Sequence, residues 1–281
     1  MILVDNNQIV FANVFQMAKS NNMGNLDLLR HLVLNTYRMY RSKFGAKYGE
    51  LVICHDSGNV WRKQHFPYYK ANRRAAQEQS DFDWDVLYDM TSALRREVKE
   101  TFPYKNLKVD HAEADDIIAV VTKANYQNES ILILSGDKDF QQLQRFPNVS
   151  QYSPTKKQFL DCDDPEAFLM EHIIKGDSSD GIPNILSDDD TFTEEDKRQK
   201  PCGKKKIASI MESIRNGGVD SSIARNWERN QTLVDLMEIP QDIQDNILEE
   251  FNKEPVGSRS KLYSYFVENN LAKLLPNIED F

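Results

Sequence analysis

Nine carboxylates recur at positions from which they could share a divalent cation. Asp5 closes the run Ile2-Leu3-Val4-Asp5, and Asp56 closes Leu51-Val52-Ile53-Cys54-His55-Asp56. Asp137 follows Ser130-Ile131-Leu132-Ile133-Leu134-Ser135 across Gly136. Short, continuously apolar runs of this kind form buried strands of a parallel sheet. The carboxyl ends of such strands lie along one edge, where ligands bind, so three acids placed there converge. A single Asp after a strand is commonly a helix N-cap, but capping does not explain why all three runs end in one. Glu113, Asp115 and Asp116 open a further helix within Ala112-Glu113-Ala114-Asp115-Asp116. Acids favour a first helical turn, yet three within four positions repel one another unless a positive charge sits among them. Asp139 in Asp137-Lys138-Asp139, and Asp177 and Asp180 in Gly176-Asp177-Ser178-Ser179-Asp180, complete the series. Oxygen ligands without Cys or His suit Mg²⁺ or Mn²⁺ rather than zinc.

A second chemistry-bearing segment lies just past Asp56. Arg62, Lys63, Lys70, Arg73 and Arg74 interleave with Trp61, Phe66, Tyr68 and Tyr69 in a window free of acids. Cations for phosphates and rings for stacking bases make up a single-strand channel; the competing reading is an aromatic-rich, solvated helix. The five histidines are scattered, so no Ser-His-Asp arrangement is indicated, and His55 and His111 beside site acids read as packing residues or as supports for those acids. Cys54, Cys162 and Cys202 are isolated from one another, with no zinc or disulfide pattern.

The elements that must position these residues alternate strand-like and helix-like segments through the first two-thirds of the chain. This pattern predicts an α/β fold, a mostly parallel central sheet with helices on both faces. Helical spacing is seen at 26–44, 84–102 and 113–125. From residue 163 helices dominate, at 165–175, 204–215, 221–237, 243–252 and 258–270. The polar stretch 187–200 reads as a mobile surface insertion. The expected division is an α/β domain over 1–162, with a bridging segment at about 57–80, and a helical C-terminal domain over 163–281. A C-terminus packed into the fold is expected at 274–281, the competing reading being a docking tail.

Of the 281 residues, 40% are hydrophobic and 28% charged, an ordinary globular balance. No apolar run approaches the roughly 20 residues of a membrane span, and Asp5 interrupts any signal-peptide core. A cytoplasmic protein is expected, without membrane contact. The net charge of -9 argues at first against nucleic acid. The nine candidate site acids carry all of it, however, leaving the remainder neutral with basic density at 61–74 and 204–206.

These motifs resemble the 5′ nuclease family of flap endonucleases, the 5′ nuclease domain of bacterial DNA polymerase I and bacteriophage ribonucleases H. Asp5 and Asp56 are similar to its first two metal-site acids, Glu113, Asp115 and Asp116 to its E-A-D-D signature, and Asp137 and Asp139 to its G-D-x-D segment. Residues 176–183 are similar to its G-D-x-x-D-N-x-P segment, and 61–73 to the arch above its active site. Cys202-Gly203-Lys204-Lys205-Lys206-Ile207-Ala208 resembles half of a helix-hairpin-helix element that grips duplex phosphates; Asn184 stands where a Gly is usual, and 187–200 separates the halves. Overall length and the segment 261–267 resemble the T-even-phage ribonuclease H branch. The resemblance implies a two-metal Mg²⁺-dependent nuclease, with Mn²⁺ able to substitute, acting on 5′ ends, flaps and forks of DNA and RNA–DNA hybrid. The nine acids would hold or order the ions, with Asp115 and Asp137 central. Lys63 and Lys70 would stabilise the scissile phosphate, while Trp61, Arg62, Tyr69, Arg73, Arg74, Gly203, Lys204, Lys205 and Lys206 would bind nucleic acid. It implies primer removal in replication by a monomer (in the host cytoplasm, if phage-encoded), with a single-strand-binding protein and a sliding clamp as partners. The rival expectation is a catalytically silent protein that binds branched DNA.

Overall fold

The computed structural model describes residues 1–20, 22, 24–78 and 83–281; for Arg74, Ala75, Ala76 and Glu78 it describes the backbone alone. The last residues of the expected bridging segment, 79–80, and the side chain of Arg74 therefore lie outside the described residues. Contacts divide the chain into two units: residues 1–58, 83–161 and 241–281, and residues 59–82 and 162–240. These units group the residues differently from the expected division at 162, at two places. Residues 241–281 join the first unit because Leu262, Phe266, Leu271, Leu274 and Phe281 are buried in its core. Residues 59–82 join the second because Val60, Phe66 and Tyr69 pack with Leu169, Ile173 and Leu233.

The first unit is built on six strands: β1 (Ile2–Asp5), β2 (Leu51–His55), β3 (Lys105–Lys108), β4 (Ile131–Leu134), β5 (Val149–Ser153) and β6 (Gln158–Leu160). Their order is β3-β2-β1-β4-β5-β6, parallel except for the β5–β6 pair. Every residue of β1, β2 and β4 is buried. Because alternate side chains point to opposite faces, helices must cover both. The first unit supplies α1 (Asn6–Lys19), α2 (Leu26–Tyr48), α5 (Trp84–Thr101), α6 (Ala114–Asn125), α10 (Gln241–Asn252) and α11 (Leu262–Glu268). Asn25 and Asp83 cap α2 and α5 by accepting from Leu28 N–H at 2.9 Å and Val86 N–H at 3.1 Å. Among the described residues, no helix is long and apolar enough to cross a membrane.

The second unit holds α3 (Arg62–His65), α4 (Ala71–Glu78), α7 (Pro165–Lys175), α8 (Lys204–Gly217) and α9 (Ala224–Val234). The stretch 187–200 is not the loose insertion its polarity suggests. Ser187 and Thr191 are buried, and Asn184 donates through Nδ2 to Lys200 O at 2.9 Å while its Oδ1 accepts from Ser187 Oγ at 3.0 Å. Asp189 pairs with both Arg225 and Arg229 of α9. Part of the charge that reads as solvated in the sequence is paired within the unit, while Asp188 and residues 193–198 are exposed.

Candidate active site

Strand order decides which acids meet. The chain runs outward from β1 to β2 to β3 and then returns to β4 on the other side of β1, so the direction of winding switches between β1 and β4. Carboxyl ends at such a switch point form the binding crevice of an open sheet. Asp5 ends the central strand, in register with Cys54 of β2, and Val4 pairs with Leu134 of β4. Asp56 and Asp137 leave the neighbouring strands on either side.

Each acid is held by a specific donor. Asp5 Oδ1 accepts from Gln8 N–H at 3.3 Å, capping α1, and its Oδ2 accepts from Ser135 Oγ at 2.9 Å. The same Ser135 oxygen accepts from Asp137 N–H at 3.1 Å, so one hydroxyl ties two site acids together. Asp137 Oδ1 caps the following 3-10 turn by accepting from Asp139 N–H at 3.0 Å. Asp56 Oδ1 accepts from Ala114 N–H at 2.7 Å, and Asn7 Nδ2 donates to its Oδ2. This joins the end of β2 to the start of α6. Glu113 and Asp116 form a capping box there, Asp116 Oδ2 accepting from Glu113 N–H at 2.9 Å. Asp116 is 0% exposed. Capping and convergence at the sheet edge are therefore compatible: the same hydrogen bonds that cap the helix starts fix where these carboxylates stand.

Electrostatics separate this edge from ordinary caps. Burial, then the charges of Asp56 and Asp137, push Asp5 up to about 6 against the hydrogen bonds from Ser135 and Gln8. The Cys54 thiol is raised by burial and by Asp5 and Asp115, which places Asp115 in the same negative field. His55 is pushed down to about 3 by burial and by Arg95 and Lys108, so it is neutral. Its Nδ1 lies 3.1 Å from Asn6 Nδ2, while Tyr37 OH donates to Asn6 Oδ1, making His55 a packing residue of the α1 start.

Several residues of this edge were not singled out from sequence. Gln8 Oε1 accepts from Gly136 N–H at 2.5 Å, and Gln151 Nε2 donates to Asp137 O at 2.5 Å and Ser135 O at 3.0 Å. A Cβ on Gly136 would stand 2.8 Å from Ser153 Oγ, which is why glycine precedes Asp137. The available signal was the amide run Asn6-Asn7-Gln8 directly after the first strand acid.

In the second unit Asp177 Oδ1 accepts from Ser179 N–H at 2.8 Å, and its Oδ2 faces His172 Nε2 at 3.2 Å. Asp180 is met by Tyr69, Lys70 and Arg73. Trp61 and Arg62 are 2% exposed and Tyr69 3%, so these three expected strand-contacting side chains are packed away from solvent. Arg62 Nε donates to Leu233 O at 2.9 Å and its guanidinium stacks 4.5 Å from the Trp61 ring. No ring face of Trp61 or Tyr69 is offered to a base. Lys63 and Arg73 remain exposed, as do Gly203, Lys204, Lys205 and Lys206 at the start of α8. Gly203 provides no side-chain cap there. Uncapped N–H groups beside three lysines form a positive helix end, a local arrangement suited to phosphate.

Two family models cover the chain. The 5′-3′ exonuclease, N-terminal resolvase-like domain matches residues 1–171, and the T4 RNase H, C terminal matches residues 163–281. Ribonuclease H of Enterobacteria phage T4 is 33% identical over 292 residues, covering 99% of this chain and 95% of that protein. DNA polymerase I of Rhizobium leguminosarum is 31% identical over 189 residues, 64% of this chain and 16% of the polymerase. Among solved structures, the bacteriophage T5 flap endonuclease in a pseudo-enzyme-product complex with DNA and metal ions aligns with TM-score 0.66. Its identity is 20%, over 90% of this chain and 99% of that one. A T5 protein co-crystallised with metal ions aligns with TM-score 0.64 at 21% identity, over 89% and 98% of the two chains. At these identities the structural likeness is one of fold.

Proposed function

This chain belongs to the 5′-3′ exonuclease family, and from that premise we propose that its carboxylate-lined sheet edge hydrolyses phosphodiester bonds at the 5′ ends of nucleic-acid strands. It is a 5′ nuclease of the ribonuclease H, exonuclease and flap endonuclease kind. The reading as a catalytically silent binder of branched DNA is not favoured, because every acid of the matched motifs is present.

The observation that carries the proposal is the crowding of carboxylates at the sheet edge: Asp5 is buried, shares the Ser135 hydroxyl with Asp137 and ends the strand beside the one that Asp56 leaves, a proximity that raises its pKa. Such a cluster is relieved by a cation. Its donors, all carboxylate oxygens, fit a hard ion such as Mg²⁺, with Mn²⁺ as substitute. Asp5, Asp56, Glu113, Asp115, Asp137 and Asp139 would hold two ions directly or through water. Asp177 is retained as a further candidate, and Asp116 is assigned to fixing Glu113 through the capping box. When bound, the ions supply hydroxide near neutral pH and a clamp on the in-line phosphate. The chain's own contribution is rigidity. Ser135 locks Asp5 to Asp137, Asn7 and Ala114 N–H lock Asp56, and Gln8 with Gln151 fixes the turn between β4 and Asp139. Lys63 and Lys70 are proposed to meet the charge developing on the phosphate, with Arg73 steering the strand.

The substrates proposed are RNA–DNA and DNA–DNA duplexes bearing 5′ ends or flaps, the activity that removes RNA primers. On that role a replication single-strand-binding protein and a sliding clamp are the proposed partners, the chain acting as a monomer in the cytoplasm. A 5′-labelled RNA-primed duplex is expected to release short products with Mg²⁺ and none with chelator. Asp137→Asn should bind the duplex and release nothing; release at the wild-type level by that variant overturns the site assignment.

Duplex grip is assigned to Gly203, Lys204, Lys205 and Lys206. Converting the three lysines to alanine should weaken binding uniformly across sequences. It should also reduce the slope of log K against log salt by about 2 to 3, since each phosphate contact releases counterions. An unchanged salt slope would move the duplex site elsewhere.

A further inference from the structure

Spacing from Asp177 groups Asp180 with the ion-holding acids, yet both of its carboxylate oxygens are taken by the cationic segment of its own unit. Arg73 bonds Oδ1 through Nη2. Tyr69 donates its hydroxyl to Oδ2 at 3.2 Å, and Lys70 Nζ stands 3.6 Å from that oxygen. The backbone holds the same registry. Lys70 N–H donates to Asp180 O at 2.7 Å, Asn72 Nδ2 to Ser178 O at 2.9 Å and Arg73 Nε to Ser179 O at 3.2 Å.

Local conformation is constrained to permit this. Gly181 has φ 72°, and a Cβ there would stand 2.9 Å from Tyr68 O. Lys70 itself has φ 55°, in the left-handed region that a side-chain-bearing residue rarely occupies. Such a conformation persists only where surrounding bonds over-determine it, and it recurs at working residues. Here the strained residue is the one whose ammonium the carboxylate faces.

We infer that Asp180 is a positioning residue whose carboxylate aims Lys70 and Arg73 at the phosphate of an incoming strand, in place of holding an ion. A divalent cation would first have to displace two cations and a phenol from a side chain that is 15% exposed. Displacing them would also break the ion pair of Lys70, itself only 16% exposed. The inference rests on the nuclease reading of the same chain.

The test is single-turnover cleavage of a 5′-flap duplex by the full chain, at varied substrate and varied Mg²⁺. Asp180→Asn should lower kcat/KM about 10²-fold, the scale of an ångström-level misplacement. The Mg²⁺ concentration giving half-maximal rate should stay within about twofold of wild type. Added to a Lys70→Met/Arg73→Gln background, Asp180→Asn should cost no more than about a further twofold, since nothing remains to be aimed. A tenfold or greater rise in half-saturating Mg²⁺, or an equal loss in both backgrounds, overturns the inference in favour of an ion ligand. Should Asp180→Asn fail to fold by thermal melt, Asp180→Glu, which keeps the charge, is judged by the same Mg²⁺ criterion. Asp137→Asn separates the two readings: if it cleaves like wild type, the nuclease site has failed, whatever Asp180 does.

Discussion

Replacing Asp5 by Asn is expected to slow phosphodiester cleavage about 10³-fold, the equivalent of about 4 kcal/mol of transition-state stabilisation. The same change should make the ion-free protein more stable near neutral pH. Asp5 is pushed up to about 6 from an ordinary 3.8 by burial and by its acidic neighbours. Below about pH 4 it is protonated in both folded and unfolded chains and contributes nothing. As pH rises towards 6 the unfolded chain ionises first, the folded state holds more protons, and stability falls. Above pH 6 the loss is complete, at about 3 kcal/mol. Asparagine cannot ionise, so the variant should melt about 5 °C higher than wild type near pH 7 without divalent ions. The difference should vanish near pH 4. Mg²⁺ should raise the melting temperature of wild type more than that of the variant. A variant less stable than wild type at pH 7 in chelator would show that Asp5 is a structural cap and no more.

Arg62→Leu is expected to destabilise the protein by about 3 kcal/mol, read from the urea midpoint, although Arg62 lies in a segment rich in nucleic-acid-binding residue types. Its guanidinium is buried, donates to Leu233 O and stacks on Trp61. Leucine fills part of the volume but leaves the carbonyl without its donor in a dry interior. The adjacent Lys63 is exposed, and Lys63→Ala should alter stability by no more than about 0.5 kcal/mol while reducing the salt slope of DNA binding by about one. Wild-type stability in Arg62→Leu with a selective loss of DNA affinity would return Arg62 to the strand-contacting set.

These two neighbours show where legibility ends. One cation in the segment is a surface charge and the next a core residue, and residue type does not distinguish them. The strands β1, β2 and β4 were legible because their apolar runs are buried on both faces. β3, with the sequence Lys-Asn-Leu-Lys, and β5, with Val-Ser-Gln-Tyr-Ser, were not. β3 is an edge strand, and β5 carries polar side chains into the interior, where Gln151 hydrogen-bonds Asp137 O and Ser135 O. α1 was missed because it opens on Asn6-Asn7, poor helix formers in isolation that are retained here by their bonds to the site. The acidic stretch 187–200 was misjudged because its partners, Arg225 and Arg229, arrive from a helix 25 residues or more downstream.

By itself the sequence determined the chemistry: acids at the ends of apolar strands, an all-oxygen donor set, and cations gathered in two short windows. Residue type and local spacing carry that information because strand ends, caps and charge are local properties. Tertiary structure alone decided the grouping. The outward-and-return winding about β1 brings Asp56, Asp5 and Asp137 side by side, with Ser135 tying Asp5 to Asp137. The folding of 59–78 onto 162–240 turns Trp61, Arg62 and Tyr69 inward and gives Asp180 to Lys70 and Arg73. Both are contacts between residues far apart in the chain, set by what else must be buried, and spacing along the sequence does not encode them.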